Sequence, residues 1–237
     1  MPPRIALYTA SSPVPRMLSV PTLPKQDTEI PEFIETLTAY LHNLAQEQGS
    51  RLPLVVFQEL IANLIHANFR EVVITILAGG NTIRISDRGP GIADKEAALR
   101  LGFTSADVRA KQFIRGVGSG FVVAREALSS LEGTLSLEDN LDQGTVVTAR
   151  IPPQEDEGLA LLAQPSYNLS ERQLKALLLV MELAPVGPTR IARELGVSAS
   201  TAYRDLIFLE EVGFIDLLET GHRSVTEEGL KYLGAIL

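Results

Sequence analysis

Four short segments constrain this chain more than anything else in it, because they fall in one order between residues 59 and 147. Glu59-Leu60-Ile61-Ala62-Asn63 sets a carboxylate and an amide four residues apart, which puts both on one face of a helix. Asp87-Arg88-Gly89-Pro90-Gly91-Ile92 follows a β-branched run and supplies two glycines where the backbone turns with φ > 0. Gly116-Val117-Gly118-Ser119-Gly120 stands before a helical pattern, and glycines there expose amide N–H groups that suit phosphate oxygens. Gly144-Thr145-Val146-Val147 lies on the last strand of the region. In this order the four read as parts of one nucleotide pocket.

Taken singly, each has a plainer reading. Glu59 and Asn63 are equally two polar residues on the wet side of a helix, and Asp-x-Gly-x-Gly arises by chance at strand-to-loop turns. The glycines at 116–120 look like a dinucleotide fingerprint, but no strand precedes them and no acid follows at the required distance. The chemistry of the set is nevertheless coherent. An amide oxygen is a hard ligand suited to Mg²⁺, whose other ligands are usually water and substrate phosphates. A carboxylate one turn away can hold the water or hydroxyl that attacks a γ-phosphate. A buried carboxylate at a strand end can accept a hydrogen bond from an exocyclic amine.

The four motifs together resemble the gyrase, chaperone, histidine-kinase and MutL ATPase superfamily (GHKL), which has the Bergerat ATP-binding fold. The resemblance implies a two-layer α/β sandwich that binds ATP with Mg²⁺. It assigns Asn63 to the metal, Glu59 to the general base, Asp87 to adenine, Gly89 and Gly91 to close approach of the nucleotide, Gly116, Gly118 and Gly120 to the phosphates, and Thr145 to the adenine pocket. Leu101-Gly102-Phe103-Thr104-Ser105 resembles the phenylalanine box of the histidine-kinase-like branch. Arg109, Lys111 and Arg115 are the basic residues nearest the phosphates, or else a solvated lid face. No transducer domain and no phospho-histidine box is recognisable; His42 reads as a surface residue and His66 as a structural one. The compact domain is most similar to the anti-sigma-factor serine kinases.

Around these motifs the chain organises into two domains of an α+β protein: an ATP-binding domain at 1–151, a linker at 152–167, and a helical module at 168–237. Residues 1–30 are proline-rich and read as irregular, with one edge strand at 16–22, since proline tolerates sheet edges. Helical spacing of Phe33, Ile34, Leu37, Tyr40, Leu41 and Leu44 predicts a helix over 31–48, capped by Asp27 or Thr28 and ended by Gly49. A second, mostly buried helix is expected over 54–69. Strands are expected at 71–78 and 82–87 around Gly79-Gly80-Asn81, a helix at 121–131, and a second hairpin at 134–139 and 145–151. The acidic, turn-rich run Pro152 to Gly158 marks the boundary, with an apolar docking helix at 159–163 after it.

Beyond the linker, helices are expected at 169–183, 188–195 and 198–212, followed by a hairpin at 214–218 and 223–226 and a last helix at 227–236. The stretch Thr189 to Arg204 resembles the helix-turn-helix of bacterial repressors, within a winged helix. That resemblance exposes Ser200, Thr201, Tyr203 and Arg204 to the major groove of duplex DNA, and places His222 and Arg223 at a wing tip. Charge argues the other way: from Ser166 to Leu237 there are seven Lys/Arg against ten Asp/Glu, whereas most DNA-binding domains are basic. A protein-docking wing is therefore the alternative, and firm DNA binding calls for a homodimer.

The composition excludes several other classes. With no cysteine, there are no disulfides or thiolate sites. Three scattered histidines make no structural metal cluster. No run of about 20 apolar residues suggests a membrane span, and the N-terminus is a poor signal peptide, so a cytoplasmic location is expected. A net charge of −8 argues against coating nucleic acid non-specifically. The reading is an ATP-binding transcriptional regulator. Its alternatives are a protein serine kinase with a partner such as a sigma factor, or a slow Mg-dependent ATPase.

Overall fold

The computed structural model describes residues 4–9, 12–20, 23–77, 79–100, 120–141, 143–152 and 167–236. The chain divides into two compact units, one of residues 1–7 and 17–153 and the other of 8–16 and 154–237. Residues 8–16, read from the sequence as part of the first domain, thus group with the second.

A mixed six-stranded sheet has the order β2-β1-β3-β4-β6-β5, and its strands from β3 onward, with the start of β1, belong to the first unit. The strands are β1 (Arg4–Thr9), β2 (Ser12–Ser19), β3 (Val73–Ile76), β4 (Thr82–Ser86), β5 (Thr134–Asp139) and β6 (Thr145–Arg150). β1 runs parallel to β3, with Ile5 opposite Ile74, whereas β3, β4, β6 and β5 are antiparallel neighbours. The N-terminus therefore corrects the sequence reading. It holds two strands rather than one, and β1 is an interior strand. β2, which carries Pro13 and Pro15, sits at the sheet edge, where a missing N–H is tolerated.

One face of the sheet is apolar because the strands alternate. Ile5, Leu7, Ile74, Ile76, Ile83, Ile85, Val147 and Ala149 all point into a single core. Helices α1 (Ile30–Gln46), α2 (Leu54–Asn63) and α4 (Gly120–Ser129) supply Phe33, Leu37, Leu41, Val56, Phe57, Leu60, Ile61 and Leu128 to it. Short α3 (Lys95–Ala98) is capped by the Asp94 carboxylate, which accepts from the Ala97 N–H. Neither Asp27 nor Thr28 caps α1; a 3-10 turn at Asp27–Glu29 leads in instead. Gly49, which follows α1, has φ +88.

α2 ends earlier than its apolar periodicity suggests. It stops at Asn63 rather than Phe69, because the Asn63 side-chain amide donates to the Glu59 carbonyl at 2.8 Å and competes for the helix's own acceptor. The chain then tightens into successive turns, with Leu64, Ile65 and His66 each donating to the carbonyl three residues back. Asn68, Phe69 and Glu71 adopt positive φ. His42 is half-buried, and its ring meets Phe57 edge-on.

The second unit carries α5 (Glu171–Leu183), α6 (Pro188–Leu195), α7 (Ala199–Glu211), the hairpin β7 (Ile215–Leu217) and β8 (Arg223–Val225), and α8 (Glu227–Ile236). Ser170 and Gln173 cap α5 reciprocally. Gly196, at φ +64, makes the tight turn between α6 and α7, and Ser198 caps α7 through the Thr201 N–H. Ala176, Leu177, Val180, Ile191, Ala202, Leu206, Leu209, Ile215, Val225 and Leu233 are buried in this unit.

Candidate functional site

In the first unit two of the sequence motifs meet around Asp87, and Gly120 of a third lies against Glu59 and Asn63. Asp87 follows directly on β4, beside the start of β6, and is 9% exposed. Its Oδ1 accepts two main-chain hydrogen bonds, from Gly89 N–H at 2.7 Å and from Thr145 N–H at 3.4 Å. Its own N–H donates to the Thr145 carbonyl. Oδ2 accepts from no described residue, so one carboxylate oxygen is fixed and the other is presented. Burial pushes the Asp87 carboxyl above the usual aspartate range, against the lowering effect of the two N–H groups.

Glycines let the chain pass this close. A Cβ on Gly144 would lie 2.0 Å from the Asp87 carbonyl oxygen, and the residue has φ +107. A Cβ on Gly89 would lie 2.6 Å from the Cα of Ala67, in the turns after α2. Gly91, at φ +79, lies beside the Gly144 carbonyl. Thr145 contributes through its main chain. Asn140 has no role in the sequence reading beyond its place in a hairpin loop, yet its side-chain amide donates to the Asp87 carbonyl at 2.7 Å. The only sequence signal for it is its place four residues before Gly144, in the loop that the motif closes.

We expect Gly144→Ala to lower stability by about 3 kcal/mol or more, because both left-handed strain and a main-chain clash oppose it. Gly79→Ala, at φ +83 with open space around it, should show the strain alone, about 1–2 kcal/mol. Urea unfolding of the two variants checks this; equal losses would remove the clash from the account.

On α2, Glu59 and Asn63 face the start of α4. A Cβ on Gly120 would lie 2.8 Å from Glu59 Oε2 and 3.6 Å from the Asn63 amide nitrogen. The absent side chain at Gly120 therefore leaves room at the α4 N-terminus beside both groups. Because the Asn63 amide nitrogen is engaged by the Glu59 carbonyl, its oxygen is the atom offered to a ligand. That oxygen suits Mg²⁺, which would leave the remaining positions to phosphates and water. Burial raises the Glu59 carboxyl above the usual range. Among the described residues, no group of three or more His, Asp or Glu forms a metal cage. Gly116, Gly118, Arg109, Lys111, Arg115 and the segment 101–105 lie outside the described residues, as does the expected docking helix at 159–163.

In the second unit, α7 presents Ser200, Tyr203 and Arg204 to solvent, with Thr201 half-exposed. Ser198 Oγ lies 3.0 Å from the Ser200 hydroxyl and 2.9 Å from the Thr201 hydroxyl. Arg223 is not a wing-tip contact, which corrects the sequence reading. It begins β8, is 4% exposed, and its Nε donates to Glu210 at 2.6 Å. Residues 219–222 form the exposed tip, with His222 among them. Part of the module's charge is paired internally: Arg172 binds Asp205 through two nitrogens, at 2.6 and 3.1 Å, and Arg190 meets Glu194 at 2.6 Å. Asp205 and Glu194 are buried.

A buried carboxylate at a strand end, an Asn–Glu helix and a glycine at the next helix start, followed by a helix-turn-helix, agree with a Bergerat-type domain joined to a helix-turn-helix domain. Residues 49–155 match the family of histidine kinase-, DNA gyrase B- and HSP90-like ATPases, and residues 171–218 match the IclR helix-turn-helix domain. The chain is thus a GHKL ATPase domain followed by an IclR-type helix-turn-helix. No curated protein matches it. Among solved structures it is similar to the DIP2311 protein from Corynebacterium diphtheriae, at 16% identity and a TM-score of 0.48, over 95% of this chain and 50% of that one. The chain thus spans about half the length of DIP2311. It is also similar to the catalytic domain of histidine kinase ThkA, at 18% identity and a TM-score of 0.33, over 53% of this chain and 91% of that one. Among the described residues, no helix is long and apolar enough to cross a membrane.

Proposed function

We propose that this chain is an ATP-responsive transcriptional regulator, in which adenine nucleotide bound to the first unit controls how the winged helix reads duplex DNA. The observation that carries the nucleotide half is the divided Asp87 carboxylate. One oxygen is anchored by two main-chain N–H groups, and the other is left to accept from an exocyclic amine. Guanine places an oxygen at that position, so the site favours adenine. Asn63 offers its amide oxygen to a magnesium ion on the phosphates, and Glu59 holds the attacking water. A bound magnesium ion would neutralise phosphate charge. Gly116, Gly118 and Gly120 free main-chain N–H groups for the phosphates, with Lys111 or Arg115 as the cation. On the DNA side, Ser200, Thr201 and Arg204 at the start of α7 reach base edges, and two copies of the chain supply two half-sites.

Coupling requires that nucleotide bind two states of the protein with different affinity. A selection over random duplexes, performed with the full chain with and without Mg-ATP, tests the whole reading. We expect one enriched sequence whose affinity changes at least several-fold with ATP. Enrichment of nothing in either condition would make the C-terminal module a protein-docking domain and put the serine-kinase reading first.

A further inference from the structure

Resting on the proposed reading of DNA by α7, the geometry points to Tyr203 as a neutral phosphate anchor, with Arg223 as the positioning residue behind it. Tyr203 is 47% exposed on the same helix as Ser200 and Arg204. One face of its ring is occupied: the Arg223 guanidinium carbon lies 5.5 Å from the ring centroid. Such a cation–π contact fixes a ring without burying its hydroxyl.

Arg223 is itself held from several sides. Glu210, seven residues beyond Tyr203 on α7, accepts from its Nε at 2.6 Å, and the Gly221 carbonyl in the wing turn accepts from Nη1 at 3.4 Å. Its main chain exchanges two hydrogen bonds with Val186 in the loop before α6. Tyr203 therefore stands where the recognition helix meets the base of the wing. A helix in the major groove and a wing over the neighbouring minor groove straddle the sugar–phosphate strand between them. A side chain at their junction meets that strand, and the phenol O–H can donate to a phosphate oxygen.

The pairing of cations suits a neutral anchor here. Arg172, Arg190 and Arg223 are committed to carboxylates. Arg204 has no carboxylate partner among the described residues; its Nε approaches only the Ser200 carbonyl, at 3.4 Å. Register on the backbone then rests on hydroxyl groups beside Arg204, and hydroxyls donate without releasing counterions.

The test is fluorescence anisotropy of the full chain on the duplex enriched by selection, titrated at several salt concentrations. Tyr203→Phe should weaken binding about 10-fold on matched and mismatched sequences alike, as for a lost hydrogen bond to a charged group. Its salt slope should be unchanged. Arg223→Lys should weaken binding with the slope also unchanged, and should add little to Tyr203→Phe in the double variant, because it acts through the ring. Arg204→Ala, the cationic comparator, should reduce the slope by about one. Unchanged affinity in Tyr203→Phe, which should fold normally, overturns the anchor. A slope reduced by about one in Arg223→Lys would make Arg223 a direct contact and overturn its positioning role. If the wild-type chain binds no duplex, the DNA reading itself falls, and the anchor with it.

Discussion

Asp87→Asn is expected to weaken ATP binding by about 100-fold or more, which corresponds to about 3 kcal/mol for a lost charge-assisted bond and a donor left facing a donor. The direction follows from which oxygen is already engaged. Gly89 and Thr145 N–H groups hold Oδ1, so an asparagine there must keep its oxygen in that position. Its NH₂ then points outward at the adenine amine. The same NH₂ suits the carbonyl oxygen of guanine, so the variant should lose most of its preference for ATP over GTP. Calorimetry with both nucleotides reads the two effects together. Wild-type affinity for ATP in Asp87→Asn would mean that this carboxylate does not touch the base.

The second large effect belongs to Glu59. If the chain hydrolyses ATP, Glu59→Gln should reduce turnover by about 10²–10⁴-fold while ATP binding stays near the wild-type value, since a base acts in the transition state. Burial raises the Glu59 carboxyl, and that fixes the sign of the pH dependence. The ionised form is the base, so turnover falls as pH drops through the raised value, at a higher pH than an ordinary glutamate would give. A steady-state phosphate-release assay across pH tests this. Undiminished release by Glu59→Gln, with an unchanged acid limb, would remove the residue from the chemistry.

The convergence of Asp87, Gly89 and Gly144 was legible because close passage of two chains needs glycine, and the motifs carry it there. What sequence could not supply lies in non-local pairing. The short run Arg4–Thr9 looks unremarkable among prolines and becomes a strand because β3, nearly seventy residues on, pairs beside it. The end of α2 was hidden for the opposite reason, since apolar spacing continues past Asn63 while one side-chain amide competes for the helix's acceptor. Asn140 escaped notice because it acts on a main-chain carbonyl, which no residue pattern marks. Arg223 was misplaced because a basic residue beside a glycine turn gives no sign that Glu210 has drawn it inward.

The internal pairing of arginines also bears on how fast such a module finds its target. Association steered by charge reaches about 10⁸–10⁹ M⁻¹s⁻¹, whereas unsteered docking runs nearer 10⁵–10⁶ M⁻¹s⁻¹. Three of the module's arginines are turned toward Asp205, Glu194 and Glu210, which would weaken the long-range pull of a DNA-reading surface on a polyanion. Such a surface would arrive slowly, slide little along non-cognate DNA, and depend on fit once it has landed. Occupancy of its site would then be governed by how long each visit lasts, and would respond to ionic strength mainly through Arg204.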